Sequence, residues 1–293
     1  MWPRGFAVKS SSCIHSMPFI WRRQSLRRKR HTPFSTLDDS SVTLESSPIL
    51  TKAWPRLKEM FAATANADGE FPLMTDQQEQ LFQEATDAAQ EKDRSASRRK
   101  PREAAVLMIL CSVNGEPSLL FTKRAAHMSL HGGEISFPGG HFDAAAGDIH
   151  VQDTAIRETH EELLPCNDTM LSRTNLSILG PTSRISSLRG TPVAPFLAVL
   201  WPGLQKQVDQ VDTPIHSCLS HYFPGDSSEV AAVFSVSITD LLKQETTHIL
   251  PNNRFGLVQA PCFPVPGHGN VWGLTASITL PILRGLFRPV FQP

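Results

Sequence analysis

The chain has 293 residues, of which 40% are hydrophobic and 19% charged, and its formal net charge is +0. This composition is typical of a globular protein with a sizeable core and one or two domains. No apolar run reaches the roughly 18–20 residues that a membrane-spanning helix needs, so the sequence predicts no membrane span.

The neutral total conceals a basic N-terminus. Residues 1–37 hold eight of the 28 Lys and Arg and no Asp or Glu, so 20 Lys and Arg remain against 28 Asp and Glu, a net charge of −8. An acid-free segment rich in Arg and Ser predicts a mitochondrial transit peptide and a location in the matrix. A nuclear or nucleic-acid-binding signal at Arg27–Arg30 and a plain disordered tail stay open as alternatives. The acidic remainder argues against a nucleic-acid-binding enzyme.

The cysteines and the C-terminus bear on the compartment. The five cysteines are scattered and form no C-x-x-C pair. They indicate reduced thiols in a reducing compartment rather than a disulfide framework or a zinc site. The C-terminal Phe291-Gln292-Pro293 does not match the S-K-L peroxisomal signal. Peroxisomal and cytoplasmic locations remain the alternatives to a mitochondrial one.

Two segments with helical spacing, Ser47–Ala65 and Thr75–Lys92, follow the basic N-terminus. The polar, basic stretch Asp93–Arg102 is typical of a linker. We therefore predict a helical N-terminal extension and linker over 38–102. One mixed α/β domain is predicted over 103–288, because strands interrupted by a few helices follow in that order.

The domain opens with a predicted hairpin, in which Ala104–Cys111 and Ser118–Lys123 flank a turn at Asn114-Gly115. A third strand, Ile135–Phe137, ends at Pro138-Gly139-Gly140, and a helix from about His150 to Leu164 follows with Asp148 as its cap. A polar surface insertion is predicted over Pro202–Asp226. The remaining predicted elements are strands at 177–180, 192–201, 230–236, 255–258 and 262–265 and helices at 238–243 and 271–286.

The predicted helix carries Glu158, Glu161 and Glu162 at positions i, i+3 and i+4, which places them on one face. Such a face can simply be solvated, with Arg157 or His160 softening the repulsion. The preceding strand and glycine loop instead favour a site for Mg²⁺, which prefers carboxylate oxygens and completes its shell with substrate phosphates. The chemistry indicated is the attack of water on a phosphoanhydride.

The stretch from Gly140 to Glu162, ending Arg157-Glu158-Thr159-His160-Glu161-Glu162, resembles the Nudix box, G-x5-E-x7-R-E-U-x-E-E-x-G-U. The resemblance implies an α/β/α sandwich with the box as loop–helix–loop, and hydrolysis of a nucleoside diphosphate linked to another moiety. It implies that Glu158, Glu161 and Glu162 bind Mg²⁺ or Mn²⁺, that Glu158 helps to orient or deprotonate the attacking water, and that Arg157 orients the glutamates.

The chain departs from the box at four places. Ala144–Gly147 is an insertion, Asp148 replaces the first Glu, Thr159 replaces an aliphatic residue, and Leu164 stands where the box has Gly. The loop after the helix therefore need not take the usual turn.

A second resemblance concerns the substrate. Leu119–Arg124 and His131–Gly140 resemble the motif upstream of the box in the coenzyme A diphosphatase subgroup. Segments 228–234 and 271–276 are similar to its downstream segments. The resemblance thus spans about 104–286. It implies hydrolysis of coenzyme A or acyl-CoA to 4′-phosphopantetheine, or its acyl form, and adenosine 3′,5′-bisphosphate.

Five further residues are candidates for contact with the substrate or the metal. Arg124 and His131 either meet the anionic substrate or are an exposed strand charge and a loop histidine, and the backbones of Gly139 and Gly140 approach the ligand. Glu229 is either a further metal ligand or base, or a strand-edge carboxylate. Two other functions stay open: a Nudix pyrophosphatase for ADP-ribose or NADH, and a catalytically silent module that binds CoA or a nucleotide.

Overall fold

The structure is a computed structural model that describes residues 46–75, 102–167, 169–187, 190–205, 216–252 and 256–292. The predicted transit peptide, the predicted helix after Thr75 and nearly all of the predicted linker lie outside these ranges. Within the described ranges, no helix is long and apolar enough to cross a membrane.

Nine strands of the described part form one mixed sheet, in the order β5-β7-β1-β2-β9-β8, with β3 paired to β2, β4 to β1 and β6 to β7. The pair β1–β7 is parallel and the other pairs are antiparallel. The strands are β1 Ala104–Val113, β2 Glu116–Arg124, β3 Ile135–Ser136, β4 Gly139–His141, β5 Leu176–Pro181, β6 Ile185–Ser186, β7 Pro192–Leu204, β8 His216–Cys218 and β9 Val230–Ser237.

The predicted hairpin of β1 and β2 lies inside this sheet and is confirmed. Asn114 and Gly115 have φ angles of 50° and 81°, and Val113 pairs with Glu116. A two-residue turn with positive φ at both positions matches the right-handed twist of the strands, which is why Asn-Gly suits it. Both strands are buried for most of their length, as expected for strands covered on both faces.

Side chains alternate between the two faces of the sheet, and helices cover both faces. One face carries Met108, Leu110 and Phe121 and packs against the first helix, α1 Pro48–Thr64, and the C-terminal helices. The other face carries Leu107, Ile109 and Leu120 and packs against α2 Val151–Leu163. Helices on either side of a mixed sheet confirm the predicted α/β fold class.

Helix α1 confirms the helix predicted over Ser47–Ala65, and it packs closely on β5. A Cβ atom at Gly180 would lie 2.6 Å from the ring of Phe61, so a glycine is needed for this approach. After the helix, the Phe71 amide donates to Pro181 O at 3.0 Å. The helical segment before residue 75 is therefore part of the same core as the sheet.

The C-terminal part adds a three-stranded sheet and the helices that pack with α1 on one face of the main sheet. One strand, β11, replaces the two predicted strands at 255–258 and 262–265. The elements are α3 Ile238–Gln244, β10 Thr246–Asn252, β11 Gly256–Val265, β12 Gly269–Val271, α4 Gly273–Ile282, a π-helical turn Leu283–Phe287 and α5 Arg288–Phe291.

The predicted surface insertion over Pro202–Asp226 was wrong in its described parts. Strand β7 continues to Leu204, and β8 adds an edge strand to the main sheet. Leu219 and Phe223 are fully buried in the cluster that also holds Leu163 of α2. These apolar side chains pack beside the helix. The prediction missed them because the segment as a whole is polar.

Candidate active site

The predicted loop at Gly139-Gly140 was wrong, because both glycines belong to β4 and pair with β1. Helix α2 follows β4 and the inserted turn and begins at Val151, with His150 as its N-cap. The Asp153 carboxylate accepts from His150 N at 2.8 Å and from Ile149 N at 3.1 Å. The side chain of Asp153 therefore satisfies amides that a helix N-terminus leaves without partners. The prediction that Asp148 caps this helix was wrong, because its carboxylate binds Arg157 instead.

Asp148 and Arg157 form a bidentate ion pair inside the protein. Arg157 Nε and Nη2 donate to the two carboxylate oxygens of Asp148, each at 2.9 Å. Asp143 N and Thr154 Oγ1 donate to the same carboxylate, which is 6% exposed. Burial raises the pKa of Asp148, but the hydrogen bonds and the charge of Arg157 outweigh it and lower the pKa to about 2.

The insertion Ala144–Gly147 leaves this ion pair intact. Ala144–Ala146 forms one 3₁₀ turn, and Gly147 has a φ of 104°. The ends of the insertion meet, since Asp143 N donates to Asp148 Oδ2 at 2.9 Å and Asp148 N donates to Asp143 O at 3.3 Å. The inserted residues therefore form a separate turn, and the residues at its two ends, Asp143 and Asp148, are hydrogen-bonded to each other.

The remaining N–H groups of Arg157 contact two of the three predicted glutamates. Nη1 donates to Glu158 Oε1 and to Glu161 Oε2, each at 2.9 Å, and Nη2 donates to His141 O at 3.2 Å. The side chain of Glu161 is half-exposed, whereas those of Arg157 and Glu158 are mostly buried. One guanidinium thus joins the acidic face of α2 to the end of β4.

The two glycines allow the backbone to approach these carboxylates. A Cβ atom at Gly140 would lie 2.4 Å from Glu158 Cδ, and one at Gly139 would lie 2.2 Å from Ala105 O. Gly139 N also donates to Glu162 Oε2 at 3.3 Å. Any larger side chain at either position would displace the glutamates or the neighbouring strand.

Glu162 lies deeper than its neighbours, at 3% exposure. Arg124 Nη1 is 3.5 Å from Glu162 Oε1. Burial, assisted by the charges of Glu158 and Glu229 and opposed by Arg124 and the Gly139 amide, raises the pKa of Glu162 to about 8. Burial likewise raises the pKa of Glu158, opposed by Arg157 and assisted by Glu161 and Glu229. Arg124 therefore lies next to Glu162, and the charge of Glu229 acts on both Glu158 and Glu162.

His131 makes its contact within its own loop, between β2 and β3. Its Nδ1 lies 2.9 Å from Glu134 Oε2, and its side chain is 59% exposed. Its φ of 58° is in the left-handed region. The structure thus places an imidazole of the upstream motif within hydrogen-bonding distance of a carboxylate, on a loop that leaves β2 directly after Arg124.

Sequence reasoning missed a turn that meets the end of α2. Gly225 N and Asp226 N donate to Leu163 O and Glu162 O at 3.0 and 2.9 Å. The side chain of Asp226 accepts from Ser228 N and Ser228 Oγ, which is the local pattern of an Asx turn. The Asp-Ser-Ser sequence predicts such a turn, but not its contact with the end of α2, far earlier in the chain.

Two departures from the box are accommodated locally. Thr159 is buried, and its hydroxyl donates to Ala155 O at 2.6 Å. Leu164 has φ 44° and ψ 68°, and its amide donates to His160 O at 3.2 Å. The helix therefore ends in the left-handed conformation that glycine usually supplies, but with a side chain that is 46% exposed.

The charges around α2 do not balance. Five carboxylates, those of Asp148, Glu158, Glu161, Glu162 and Glu229, act on one another or on two guanidiniums, those of Arg157 and Arg124. An excess of oxygen anions of this kind fits a hard divalent cation in ligand type. Across the described residues, no three such groups already converge as a metal centre. Arg157 holds Glu158 and Glu161, while Glu162 faces Gly139 and Arg124.

The chain is similar in sequence to known proteins over most of the region described above. The NUDIX domain model matches residues 101–252. The human protein named mitochondrial coenzyme A diphosphatase NUDT8 is 35% identical over 202 residues, which cover 67% of this chain and 74% of that protein. The Enterobacter protein NudL, named an uncharacterized Nudix hydrolase, is 32% identical over 177 residues, 60% of this chain and 79% of its own. The solved structure of the Nudix hydrolase RenU from M. smegmatis aligns with a TM-score of 0.33 and 18% identity, covering 51% of this chain and 80% of that one.

We predict that Asp148→Asn lowers the free energy of unfolding by about 2 kcal/mol at pH 7, since each pKa unit corresponds to about 1.4 kcal/mol. The folded pKa of about 2 lies below the ordinary 3.8, so the ionised carboxylate stabilises the fold above about pH 4. This contribution is lost as the pH falls towards 2, and the penalty of the substitution should shrink at about pH 3. Urea unfolding at both pH values measures it.

The matched control for this experiment is Asp143→Asn, which keeps the side-chain oxygen that accepts from Ala145 N. It should change stability little at either pH. An Asp148→Asn penalty that is equal at both pH values would show that the ion pair does not depend on the ionised carboxylate.

We also predict that Leu164→Gly raises the free energy of unfolding by about 1 kcal/mol, because glycine adopts the left-handed conformation without the strain of a Cβ atom. Leu164→Ala keeps the Cβ atom and should give no such gain. Equilibrium denaturation of the three proteins separates the strain from the loss of an exposed side chain. A glycine variant no more stable than the alanine variant would exclude strain at this position.

Proposed function

This chain belongs to the Nudix hydrolase family, and from that premise we propose that it hydrolyses the pyrophosphate bond of coenzyme A or acyl-CoA. The products are 4′-phosphopantetheine, or its acyl form, and adenosine 3′,5′-bisphosphate. The reaction depends on Mg²⁺ or Mn²⁺. The family match confirms the resemblance to the Nudix box, and members of this family are pyrophosphohydrolases. The substrate and the metal are our proposals.

The acidic cluster on α2 is the observation that carries this proposal. Glu158, Glu161 and Glu162 supply the oxygen ligands for the cation. When bound, a divalent cation neutralises charge on phosphoryl oxygens and lowers the pKa of a bound water. Arg157 keeps Glu158 and Glu161 in place through its two 2.9 Å hydrogen bonds. Glu229, whose charge acts on Glu158 and Glu162, serves as a further ligand or as the acceptor of the water proton.

The position of Arg124 supports an anionic substrate next to these glutamates. Its Nη1 lies 3.5 Å from Glu162 Oε1, its Nη2 donates to Met128 Sδ at 3.1 Å, and a guanidinium binds phosphate oxygens bidentately. The backbone of Gly139 and Gly140 lies directly beside Glu158 and Glu162, so these glycines are the other candidates for contact with the substrate. His131, on the loop that follows Arg124, is the second candidate for contact with the substrate.

The choice of coenzyme A rests on the upstream motif and on the relatives. Leu119–Arg124 and His131–Gly140 resemble the motif of coenzyme A diphosphatases. The mouse protein with the same name as the human relative is 32% identical over 206 residues, 83% of its length. Hydrolysis of ADP-ribose or NADH by the same cluster is the alternative within the family. A silent module that only binds CoA or a nucleotide is disfavoured by the presence of all three glutamates.

Parallel assays of the purified chain with CoA, acetyl-CoA, ADP-ribose and NADH, each with Mg²⁺ or Mn²⁺, test this proposal. We expect release of adenosine 3′,5′-bisphosphate from CoA, and a loss of at least about 100-fold in kcat/KM for Glu162→Gln, because a removed ligand weakens charge stabilisation in the transition state. The matched control is Glu116→Gln, an exposed glutamate at the β1–β2 turn, which should leave turnover unchanged. Faster turnover of ADP-ribose or NADH would contradict the substrate, and binding of CoA without turnover would favour the silent module.

We further propose that residues 1–37 direct the chain to mitochondria, as the names of the human and mouse relatives suggest for those proteins. A fusion of residues 1–37 to a fluorescent reporter should enter mitochondria. A variant with the Arg27–Arg30 cluster changed to Gln should remain outside them, because import depends on a basic, acid-free segment. Nuclear accumulation of the unchanged fusion would contradict mitochondrial targeting.

A further inference from the structure

Three segments that are distant in sequence contact one another next to Glu162: the end of α2, the turn Gly225–Glu229 and the loop that follows β2. The turn Gly225–Glu229 donates two amides to the carbonyls of Glu162 and Leu163 at the end of α2. Those carbonyls belong to the last turn of a helix, which lacks partners within the helix. The turn therefore caps the catalytic helix from elsewhere in the chain and fixes where β9 begins.

The other end of the same turn is tied to the loop that leaves β2. Ala125 N donates to Glu229 O at 2.8 Å, and His127 Nε2 lies 3.1 Å from Ser228 O. Because a carbonyl oxygen only accepts, His127 Nε2 carries the proton and donates it. The imidazole of His127 is thus a side-chain tether between the β2–β3 loop and the turn, 101 residues apart in sequence.

The tether acts on the peptide directly before Glu229. Ser228 O belongs to the peptide that joins Ser228 to Glu229, so a hydrogen bond to this oxygen fixes the plane from which the Glu229 side chain departs. At the other end of this contact, in the loop that follows β2, Arg124 directly precedes Ala125, and its Nη1 lies 3.5 Å from Glu162 Oε1. Asp226 N donates to Glu162 O and Glu229 N donates to Asp226 O, each at 2.9 Å, so the backbone of Glu229 lies next to the end of α2. The charge of Glu229 acts on both Glu158 and Glu162.

We propose that His127 is a positioning residue that holds Glu229 against the glutamates of α2 through its hydrogen bond to Ser228 O. This inference rests on the proposed hydrolytic function and extends it, since His127 itself touches neither the reacting atoms nor the glutamates. It belongs to the β2–β3 loop but lies outside the motif residues that resemble the coenzyme A diphosphatases. Its effect on turnover passes through Glu229.

The test compares three substitutions of His127 in the full chain. His127→Gln keeps an N–H donor at the same number of bonds from Cα as Nε2, whereas His127→Asn places its donor one bond nearer and His127→Ala has none. We expect the Ala and Asn variants to lower kcat about ten-fold with little change in KM, because small displacements of a catalytic group reduce rate more than binding. The Gln variant should recover most of the rate.

A double-mutant cycle with Glu229→Gln shows whether the effect passes through Glu229. In that background, His127→Ala should cost little more than Glu229→Gln alone. An undiminished ten-fold loss in the Glu229→Gln background, or a His127→Gln variant as impaired as His127→Ala, would overturn the proposal. The cycle uses whichever of the four substrates the unchanged protein turns over, so a wrong substrate assignment leaves this test intact.

Hydrogen exchange supplies a readout that needs no turnover. The Ala125 amide donates to Glu229 O, so it should exchange faster in His127→Ala and His127→Asn than in the unchanged protein or in His127→Gln. Unchanged exchange at Ala125 in the Ala variant would show that His127 does not fix the turn. If all four substrates fail while exchange changes as expected, the hydrolytic proposal fails and the tether stands.

Discussion

The buried ion pair between Asp148 and Arg157 is the interaction on which the acidic site depends. Taking a guanidinium out of water is costly unless its N–H groups are paired, and a carboxylate with both oxygens occupied meets that condition. Asp148 occupies Nε and Nη2 and leaves Nη1 for Glu158 and Glu161. The direction of the guanidinium, and hence the position of two of the three glutamates, follows from this one pair.

The clustering and burial of the glutamates disfavour their ionised forms. Burial and mutual repulsion raise the pKa of Glu158 and Glu162, and Arg124 and Arg157 offset only part of this. A site that gathers anions beyond its own cations is suited to a ligand that brings positive charge. A divalent cation meets that requirement in charge and in its preference for carboxylate oxygens. Arg124 lies beside Glu162, with Nη1 3.5 Å from Oε1.

Local sequence signals predicted the parts of the structure that short-range physics determines. Asn114-Gly115 indicated the hairpin, and the spacing of Glu158, Glu161 and Glu162 placed them on one helical face. Spacing failed for Asp148, which was predicted to cap α2 but binds Arg157. The amides at the start of the helix are met instead by Asp153, which lies inside its first turn. Tethers such as that between His127 and Ser228 join segments 101 residues apart, which no local pattern encodes. The averaged polarity of 202–226 likewise hid Leu219 and Phe223, since single apolar residues at turns leave no periodic signal.

We propose that the acidic face of α2 binds a divalent cation. Titration of Mn²⁺ followed by electron paramagnetic resonance measures this directly, because free Mn²⁺ gives a strong signal that binding suppresses. The account predicts that the unchanged protein suppresses the signal, that Glu162→Gln weakens this at least about ten-fold, in keeping with the loss of one ligand, and that Glu116→Gln does not. Equal Mn²⁺ binding by the unchanged protein and Glu162→Gln would contradict it.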